Sequence, residues 1–188
     1  LILFFSFIIY LLLSITIFNK KKLPHHSLLP SFIILYPICS LVLPIIFKGN
    51  NLHESHFWLI IILLIWSSDS FAYLVGRKIG KTKLFERLSP KKTWEGFLGA
   101  GLLTVLFGVV LGNYFSTLSI LFWISCSIII WVIGTVGDLF ESSIKRTYDV
   151  KDSGNILPGH GGFLDRFDSF IFVIPFIYFL LYTFKYLQ

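Results

Sequence analysis

The sequence predicts an all-α, polytopic membrane protein with about six transmembrane helices. Of its 188 residues, 55% are hydrophobic and 14% are charged, whereas a soluble domain averages about a quarter charged residues. The apolar residues form runs long enough to cross a bilayer, since about 20 helical residues span about 30 Å of hydrocarbon. Helices are expected because backbone groups in lipid must be satisfied within the segment. A water-soluble globular domain is therefore excluded.

Six apolar stretches follow one another, and each is long enough for one span. They are Leu1–Phe18, Leu28–Phe47, Phe57–Val75, Phe97–Phe115, Leu118–Gly137 and Ser169–Tyr186. No repeat or low-complexity linker separates them, so we predict one membrane domain over residues 1–188, with its functional segment at 66–170. Because the chain has no methionine and begins at Leu1, we expect further residues before Leu1 in the complete protein.

The basic residues predict the orientation of these spans. Fourteen of the sixteen lysines and arginines lie on alternate connections: Lys20, Lys21, Lys22, Arg77, Lys78, Lys81, Lys83, Arg87, Lys91, Lys92, Lys145, Arg146, Lys151 and Arg166. The positive-inside rule places these connections in the cytoplasm. The net charge of +6 then reflects topology and phosphate-bearing ligands, and we expect no nucleic-acid partner.

The acidic residues lie on the same side as the basic ones. Nine of the ten carboxylates, all except Glu54, fall on the predicted cytoplasmic side or at its membrane boundary. Orientation depends on lysine and arginine and hardly on aspartate and glutamate. Topology alone therefore does not explain this concentration, which indicates a functional site on the cytoplasmic face.

The first polar segment is Ser67–Tyr73, near the cytoplasmic end of an apolar stretch. Its carboxylate, Asp69, costs roughly 2.5–3.5 kcal/mol at the bilayer centre and less toward the interface, so a function is one interpretation. The alternative is a side chain solvated at the helix end. The pairs Ala72/Tyr73 and Gly76/Gly80 are equally typical of close helix packing.

The second polar segment is Ser89–Gly96. Pro90 resembles a first-turn helix residue with Ser89 as its cap. Backbone N–H groups at a helix start, together with Lys91 and Lys92, would bind phosphate oxygens. An ordinary basic cytoplasmic loop is the alternative.

The third polar segment, residues 137–168, is the richest in functional groups. Asp138, Glu141, Ser142 and Lys145 share one face if the helix continues, and Asp165 and Asp168 have the same i, i+3 spacing. Glycines around residue 160 allow backbone to approach a ligand. Two acidic faces beside a cationic loop suit a magnesium–triphosphate site, because carboxylates hold the hard cation and basic groups neutralise phosphate. A salt-bridged surface patch is the alternative.

These segments resemble the phosphatidate cytidylyltransferase family. The resemblance rests on Ser142–Arg146, Lys151–Asp152 and Leu157–Asp168, with supporting blocks at Asp69–Tyr73 and Ser89–Gly96. It implies an enzyme of phospholipid biosynthesis that joins CTP to phosphatidate, giving CDP-diacylglycerol and pyrophosphate. The implied cofactor is Mg²⁺, as one or two ions. The resemblance further implies a bacterial cytoplasmic membrane, an active site on the cytoplasmic face, and a homodimer as a further expectation.

The resemblance also implies roles for individual residues. Catalytic roles are expected for Asp138, Asp165, Lys145 and Arg166. Metal ligands are expected among Asp138, Asp165, Glu141, Asp168 and Asp69. Substrate binding is expected for Ser89, Lys91, Lys92, Thr93, Arg146, Lys151, His160, Gly161 and Gly162. For His160, holding the glycine turn is the alternative role.

Three other functions compete with this interpretation. A phosphatidyltransferase that uses CDP-diacylglycerol would also need aspartates and metal, but the aspartate-rich helix motif of that family, with its Ala-Arg pair, is absent. A transporter would place key charges near the midplane and often shows repeats. Here the charges lie at one face and no repeat is found. A relative acting on an ether-lipid phosphate would use the same chemistry and stays open.

Overall fold

The computed structural model describes residues 38, 40–43, 53–114, 118–150, 153–154, 162 and 164–187. From residue 53 on, the described residues form four helices and one hairpin, in chain order α1 (His53–Ile79), β1 (Lys83–Phe85), β2 (Ser89–Thr93), α2 (Trp94–Tyr114), α3 (Ile120–Thr147) and α4 (Leu164–Leu187). The first predicted span, Leu1–Phe18, and nearly all of the second, Leu28–Phe47, lie outside the described residues.

Four helices in the described ranges are long and apolar enough to cross a membrane. They cover Phe57–Ile79, Trp94–Tyr114, Ile120–Thr147 and Phe167–Phe184. Each overlaps one of the last four predicted stretches. The prediction of a helical, polytopic membrane protein is therefore confirmed.

Helix α3 is longer than its predicted apolar stretch. It continues past Gly137 to Thr147, so its last turns carry the polar residues of the third segment. The helix ends in a Schellman motif, in which the Val150 N–H donates to the Lys145 carbonyl at 3.0 Å. Asp149 adopts the left-handed conformation that this motif requires, with φ at 54°. The helix therefore runs past Gly137 and ends at a defined cap, with the polar residues 138–145 inside it.

The hairpin was not predicted, and it corrects the expected start of α2. Strands β1 and β2 are antiparallel, with Lys83 opposite Thr93 and Phe85 opposite Ser89. The prediction that Ser89 caps a helix and Pro90 opens its first turn is therefore wrong. Proline is tolerated here because both strands of a two-stranded ribbon are edge strands.

The actual cap of α2 is Thr93. Its Oγ1 accepts a hydrogen bond from the Gly96 N–H at 3.2 Å, the usual contact of a threonine N-cap with the third helical residue. Helix α2 therefore begins four residues later than Pro90.

Small residues let α1 and α2 pack closely. A Cβ added at Gly96 would lie 2.7 Å from the Ala72 carbonyl oxygen, closer than real Cβ atoms come to such an atom, and 3.0 Å from the Gly76 Cα. This confirms Ala72 and Gly76 as markers of close packing.

Helix α3 is joined to α2 by the Trp131 indole, which donates to the Phe97 carbonyl at 2.8 Å.

The chain divides into two compact units. The described residues of one lie mainly in Gly134–Phe179, and the other contains Gly49–Ile133 and Leu180–Gln188. The third polar segment belongs to the first unit, and Asp69 and the hairpin belong to the second. The single membrane domain over residues 1–188 stays a prediction.

Candidate active site

Within the unit containing Gly134–Phe179, α3 and α4 approach closely at Gly137. A Cβ at this position would lie 2.6 Å from the Phe172 Cβ, so only glycine fits without a shift. One turn earlier, the Ser169 hydroxyl donates to the Gly134 carbonyl at 3.1 Å. The last turns of α3 are thereby held against the first turns of α4, which carry Asp165 and Asp168.

Lys145 connects the acidic residues of the two helices. Its ammonium lies 3.1 Å from Glu141 Oε2 and 2.7 Å from Asp165 Oδ1. On the same helix, the Ser142 hydroxyl donates to Asp138 Oδ1 at 3.3 Å. The predicted common face of α3 is confirmed, and α4 adds a carboxylate to it. We call Asp138, Glu141, Lys145, Asp165 and Asp168 the acidic cluster.

Asp165 also binds both ends of the loop before α4. Its Oδ2 accepts hydrogen bonds from the Ser153 N–H at 2.9 Å, the Ser153 hydroxyl at 2.8 Å and the Gly162 N–H at 2.7 Å. Burial opposes ionisation of this carboxyl, but the hydrogen bonds from Lys145 and the two loop ends outweigh it. They hold the pKa of Asp165 below its ordinary value, so the group is an anion at neutral pH.

Glu141 is the most buried member of the acidic cluster. It is 1% exposed, and its Oε1 is buried without a hydrogen-bond partner. The carboxyl of Asp168 lies within interaction range of it. Two neighbouring carboxyls repel each other when both are ionised, so the pair favours a shared proton or an added cation.

The donor chemistry of the acidic cluster fits Mg²⁺, which prefers carboxylate oxygens together with phosphate and water. Within the described part of the chain, however, no group of three or more His, Cys, Asp or Glu residues is placed to hold a metal ion. Lys145 instead provides the positive charge that joins Glu141 to Asp165.

The hairpin forms a separate cationic element in the other unit. Lys91 is exposed on β2, Lys92 and Ser89 are half-buried, and Thr93 is 6% exposed. Glu95, in the first turn of α2, accepts hydrogen bonds from residues 81 and 82 before β1. The expected phosphate-binding lysines thus lie on a hairpin that is fixed to the start of a helix.

Comparison with known proteins decides the family. A model of the cytidylyltransferase family matches residues 1–184. The chain belongs to this family. With its apolar helices and bacterial relatives, it is an integral membrane protein.

Two bacterial relatives show how far the similarity extends. The phosphatidate cytidylyltransferase of Bacillus subtilis is 51% identical over 128 residues, which cover 65% of this chain and 46% of the relative. The phosphatidate cytidylyltransferase of Staphylococcus saprophyticus is 40% identical over 175 residues, covering 92% of this chain and 66% of the relative. The chain therefore spans about half to two thirds of the length of these relatives.

Two further predicted site residues, Asp69 and Arg146, are exposed. Asp69 is exposed on α1, in the unit that contains the hairpin. Arg146 is exposed, and its guanidinium donates to the Val150 carbonyl at 3.0 Å. Lys151, His160 and Gly161 lie outside the described residues, as does the side chain of Arg166.

Sequence reasoning missed the roles of Ser153 and Glu95. Ser153 donates two hydrogen bonds to Asp165, which lies 12 residues later in the chain. No helix or strand period relates two residues at that separation. Glu95 had a weak signal, since a carboxylate in the first turn of a helix beside a cationic loop is well placed to accept backbone N–H groups. Neither residue stood out from its neighbours by spacing.

Proposed function

We propose that this chain catalyses transfer of a cytidylyl group from CTP to phosphatidate, giving CDP-diacylglycerol and pyrophosphate. Family membership and similarity to two bacterial phosphatidate cytidylyltransferases support this activity. The observation that carries it is the bridge from Lys145 to Glu141 and Asp165, which concentrates carboxylates and a fixed cation at the polar end of a membrane helix.

The reaction needs positioning more than proton transfer. An anionic phosphate oxygen of phosphatidate attacks the α-phosphorus of CTP, a new P–O bond forms, and the bond to the β-phosphate oxygen breaks to release pyrophosphate. The nucleophile is already an anion, so no strong general base is required. The protein must hold two anions together and stabilise the charge of the transition state.

The chain's own residues meet these needs in distinct ways. Lys145 supplies a positive charge for a phosphate oxygen, and Asp165 orients that ammonium through its 2.7 Å contact. Asp165 also closes the loop between Ser153 and Gly162. Lys91 and Lys92, on β2, bind substrate phosphate through their charge, and the substrate-binding roles expected for Ser89 and Thr93 on the same strand stay predictions. The roles expected for Arg146, Lys151, His160, Gly161 and Arg166 stay predictions.

A divalent cation is part of the proposal. Mg²⁺, in one or two ions, would neutralise triphosphate oxygens when bound. Glu141, with its unpartnered Oε1, and its neighbour Asp168 are the first candidates to hold it. Asp138 and Asp165 are further candidates, and the metal-binding role expected for Asp69 stays a prediction.

We also propose that the acidic cluster faces the cytoplasm of a bacterial inner membrane. Arg77 and Lys78 lie in the last turn of α1, and Lys145 and Arg146 lie in the last turn of α3, whereas α2 has no basic residue in its last turn. Basic residues at the ends of alternate helices support a cytoplasmic location by the positive-inside rule. The expected homodimer stays a prediction.

The activity is tested with membranes containing the chain, detergent-dispersed phosphatidate and CTP labelled in the cytidine. We expect lipid-soluble label only when phosphatidate is present. Membranes from cells carrying the empty vector are the control. Incorporation of label from CDP-diacylglycerol into another phospholipid, with none from CTP, would instead show a phosphatidyltransferase and overturn the proposal.

A further inference from the structure

Glu95 is a carboxylate at the edge of the most cationic part of the chain. Residues 77–92 contain seven lysines and arginines, and Glu95 follows immediately in the first turn of α2. A negative charge beside a phosphate-binding element would by itself weaken binding through repulsion. The negative charge of Glu95 is therefore expected to have a function of its own.

The contacts of Glu95 show what its two oxygens do. Oε2 accepts a hydrogen bond from the Lys81 N–H at 3.0 Å. Oε1 accepts from the Thr82 N–H at 3.1 Å and from the Thr82 hydroxyl at 2.9 Å. Hydrogen bonds to an ionised acceptor are roughly twice as strong as neutral ones. The side chain therefore binds the backbone that connects α1 to β1.

These contacts locate the hairpin relative to α2. The Trp94 N–H donates to the Thr82 carbonyl at 2.9 Å, which adds a backbone contact at the same junction. Lys83, the next residue, pairs with Thr93 on β2. Because β2 also carries Lys91 and Lys92, a shift at residues 81 and 82 would move both lysines.

We propose that Glu95 is a positioning residue for the hairpin lysines. It acts through the Lys81 and Thr82 N–H groups and the Thr82 hydroxyl. Its carboxylate fixes the start of β1, and the strand pairing passes this constraint to Lys91 and Lys92. This inference rests on the proposed function, since it assumes that these lysines bind phosphate, from CTP or from phosphatidate.

The test uses Glu95→Gln in the full chain, assayed for KM and kcat with CTP and with phosphatidate in separate series. The amide cannot accept at both ends, and a displaced binding group can cost roughly 10²-fold. We expect kcat/KM to fall about 10–100-fold, mainly through the KM of whichever substrate the lysines bind. Glu95→Asp, which keeps the charge, should restore part of the loss. Glu86→Gln, the same charge change at an exposed hairpin position, should leave both constants unchanged.

A double-mutant cycle separates positioning from general stability. If Glu95 acts through the lysines, Glu95→Gln should change kcat/KM by no more than about two-fold in a background of Lys91→Ala and Lys92→Ala, because the groups it positions are gone. An equal loss in both backgrounds would overturn the proposal. Thr82→Val, which removes one donor to Glu95, should show the same pattern with a smaller loss.

Limited trypsin digestion gives a readout that does not depend on activity. Loss of the Glu95 contacts should speed cleavage after the hairpin lysines and arginines in Glu95→Gln and not in Glu86→Gln. If wild type lacks cytidylyltransferase activity but Glu95→Gln is cleaved faster, the proposed function fails and the anchoring of the hairpin stands. Equal cleavage rates in wild type and Glu95→Gln would overturn the inference whatever the activity.

Discussion

The Lys145 ammonium lies 2.7 Å from Asp165 Oδ1, which joins the end of α3 to the first turn of α4 across 20 positions of the chain. The same ammonium contacts Glu141 at 3.1 Å. One cation is thus shared by two carboxylates, and only about 15% of the lysine side chain is exposed. A pair this sheltered is screened less by salt than a surface pair.

The first prediction concerns Lys145 itself. Lys145→Met keeps the length of the side chain but removes its charge, leaving two carboxylates without their common partner. Removing a charge stabiliser typically lowers the rate by about 10²–10³-fold, so we expect kcat to fall by that factor. Lys145→Arg keeps the charge and should retain more activity than Lys145→Met. Equal activity of Lys145→Met and wild type, in protein that elutes as folded from size exclusion, would contradict a role in the reaction.

The second prediction separates Asp165 from Asp138. We expect Asp165→Asn and Asp138→Asn each to lower turnover by about 10²–10³-fold. Asp165→Asn should also destabilise the fold, because charged hydrogen bonds contribute about 1.5–3 kcal/mol and this carboxylate accepts several. Among the contacts of Asp138 is a longer bond, 3.3 Å, from the Ser142 hydroxyl, which an amide oxygen can also accept, whereas the three donors to Asp165 Oδ2 need a carboxylate. Thermal unfolding should therefore distinguish the two variants, and near-normal turnover in either would remove that residue from the site.

The stabilisation by Asp165 should depend on pH. Its pKa is lowered in the folded protein, so its contribution is complete above the ordinary aspartate pKa and is lost as the pH falls below that value. The difference in unfolding temperature between wild type and Asp165→Asn should accordingly shrink below about pH 4. A constant difference down to pH 2 would contradict this origin.

The third prediction compares two glycines one turn apart on α3. A Cβ at Gly137 would lie 2.6 Å from the Phe172 Cβ, whereas a Cβ at Gly134 would lie 3.7 Å from the nearest atom, in Val173. Gly137→Ala should therefore destabilise the protein by about 1–3 kcal/mol through overpacking and lower activity by separating α3 from α4. Gly134→Ala should be tolerated in unfolding and activity measurements alike. Equal behaviour of the two variants would contradict the close approach at Gly137.

Much of the acidic cluster could be predicted because its pattern is local. Asp138, Glu141, Ser142 and Lys145 follow helical spacing, so their common face could be read before any tertiary contact was known. Which cation would join α3 to α4 could not be read in this way. The contact between Lys145 and Asp165 depends on how closely Gly137 lets the helices pack.

The hairpin shows where local patterns mislead. Ser89 and Pro90 have the chemistry of a helix start, yet they lie in β2, since pairing with Phe85 and capping by Thr93 determine the actual boundary. Glu95 reaches N–H groups 13 and 14 positions earlier. Contacts at that separation depend on the turn of the chain and not on any helical or strand period.

The fourth prediction concerns topology. Lys83, on β1, should face the cytoplasm, and Asn113, at the far end of α2, should face outward. Cysteine is placed at each position in a chain whose Cys39 and Cys126 are replaced by serine. A membrane-impermeant maleimide should label position 113 in intact cells and position 83 only after lysis. Labelling of both positions from the same side would contradict the orientation.

The fifth prediction uses the buried oxygen of Glu141. Glu141 Oε1 has no hydrogen-bond partner, and the carboxyl of Asp168 lies nearby. Glu141→Gln keeps the shape, gives up the 3.1 Å ion pair with Lys145 and relieves the repulsion between two neighbouring carboxyls, so we expect thermal stability without Mg²⁺ to stay close to that of wild type. If Glu141 holds the metal, Mg²⁺ should raise the unfolding temperature of wild type, since a ligand that binds the folded state stabilises it. Mg²⁺ should raise the unfolding temperature of Glu141→Gln much less.

Turnover of Glu141→Gln should fall by about 10²-fold or more, because a carboxylate ligand cannot be replaced by an amide without loss of charge. Glu86→Gln, at an exposed turn of the hairpin, is the matched control and should respond to Mg²⁺ as wild type does. An unchanged response to Mg²⁺ in Glu141→Gln would move the metal assignment to Asp138 or Asp168.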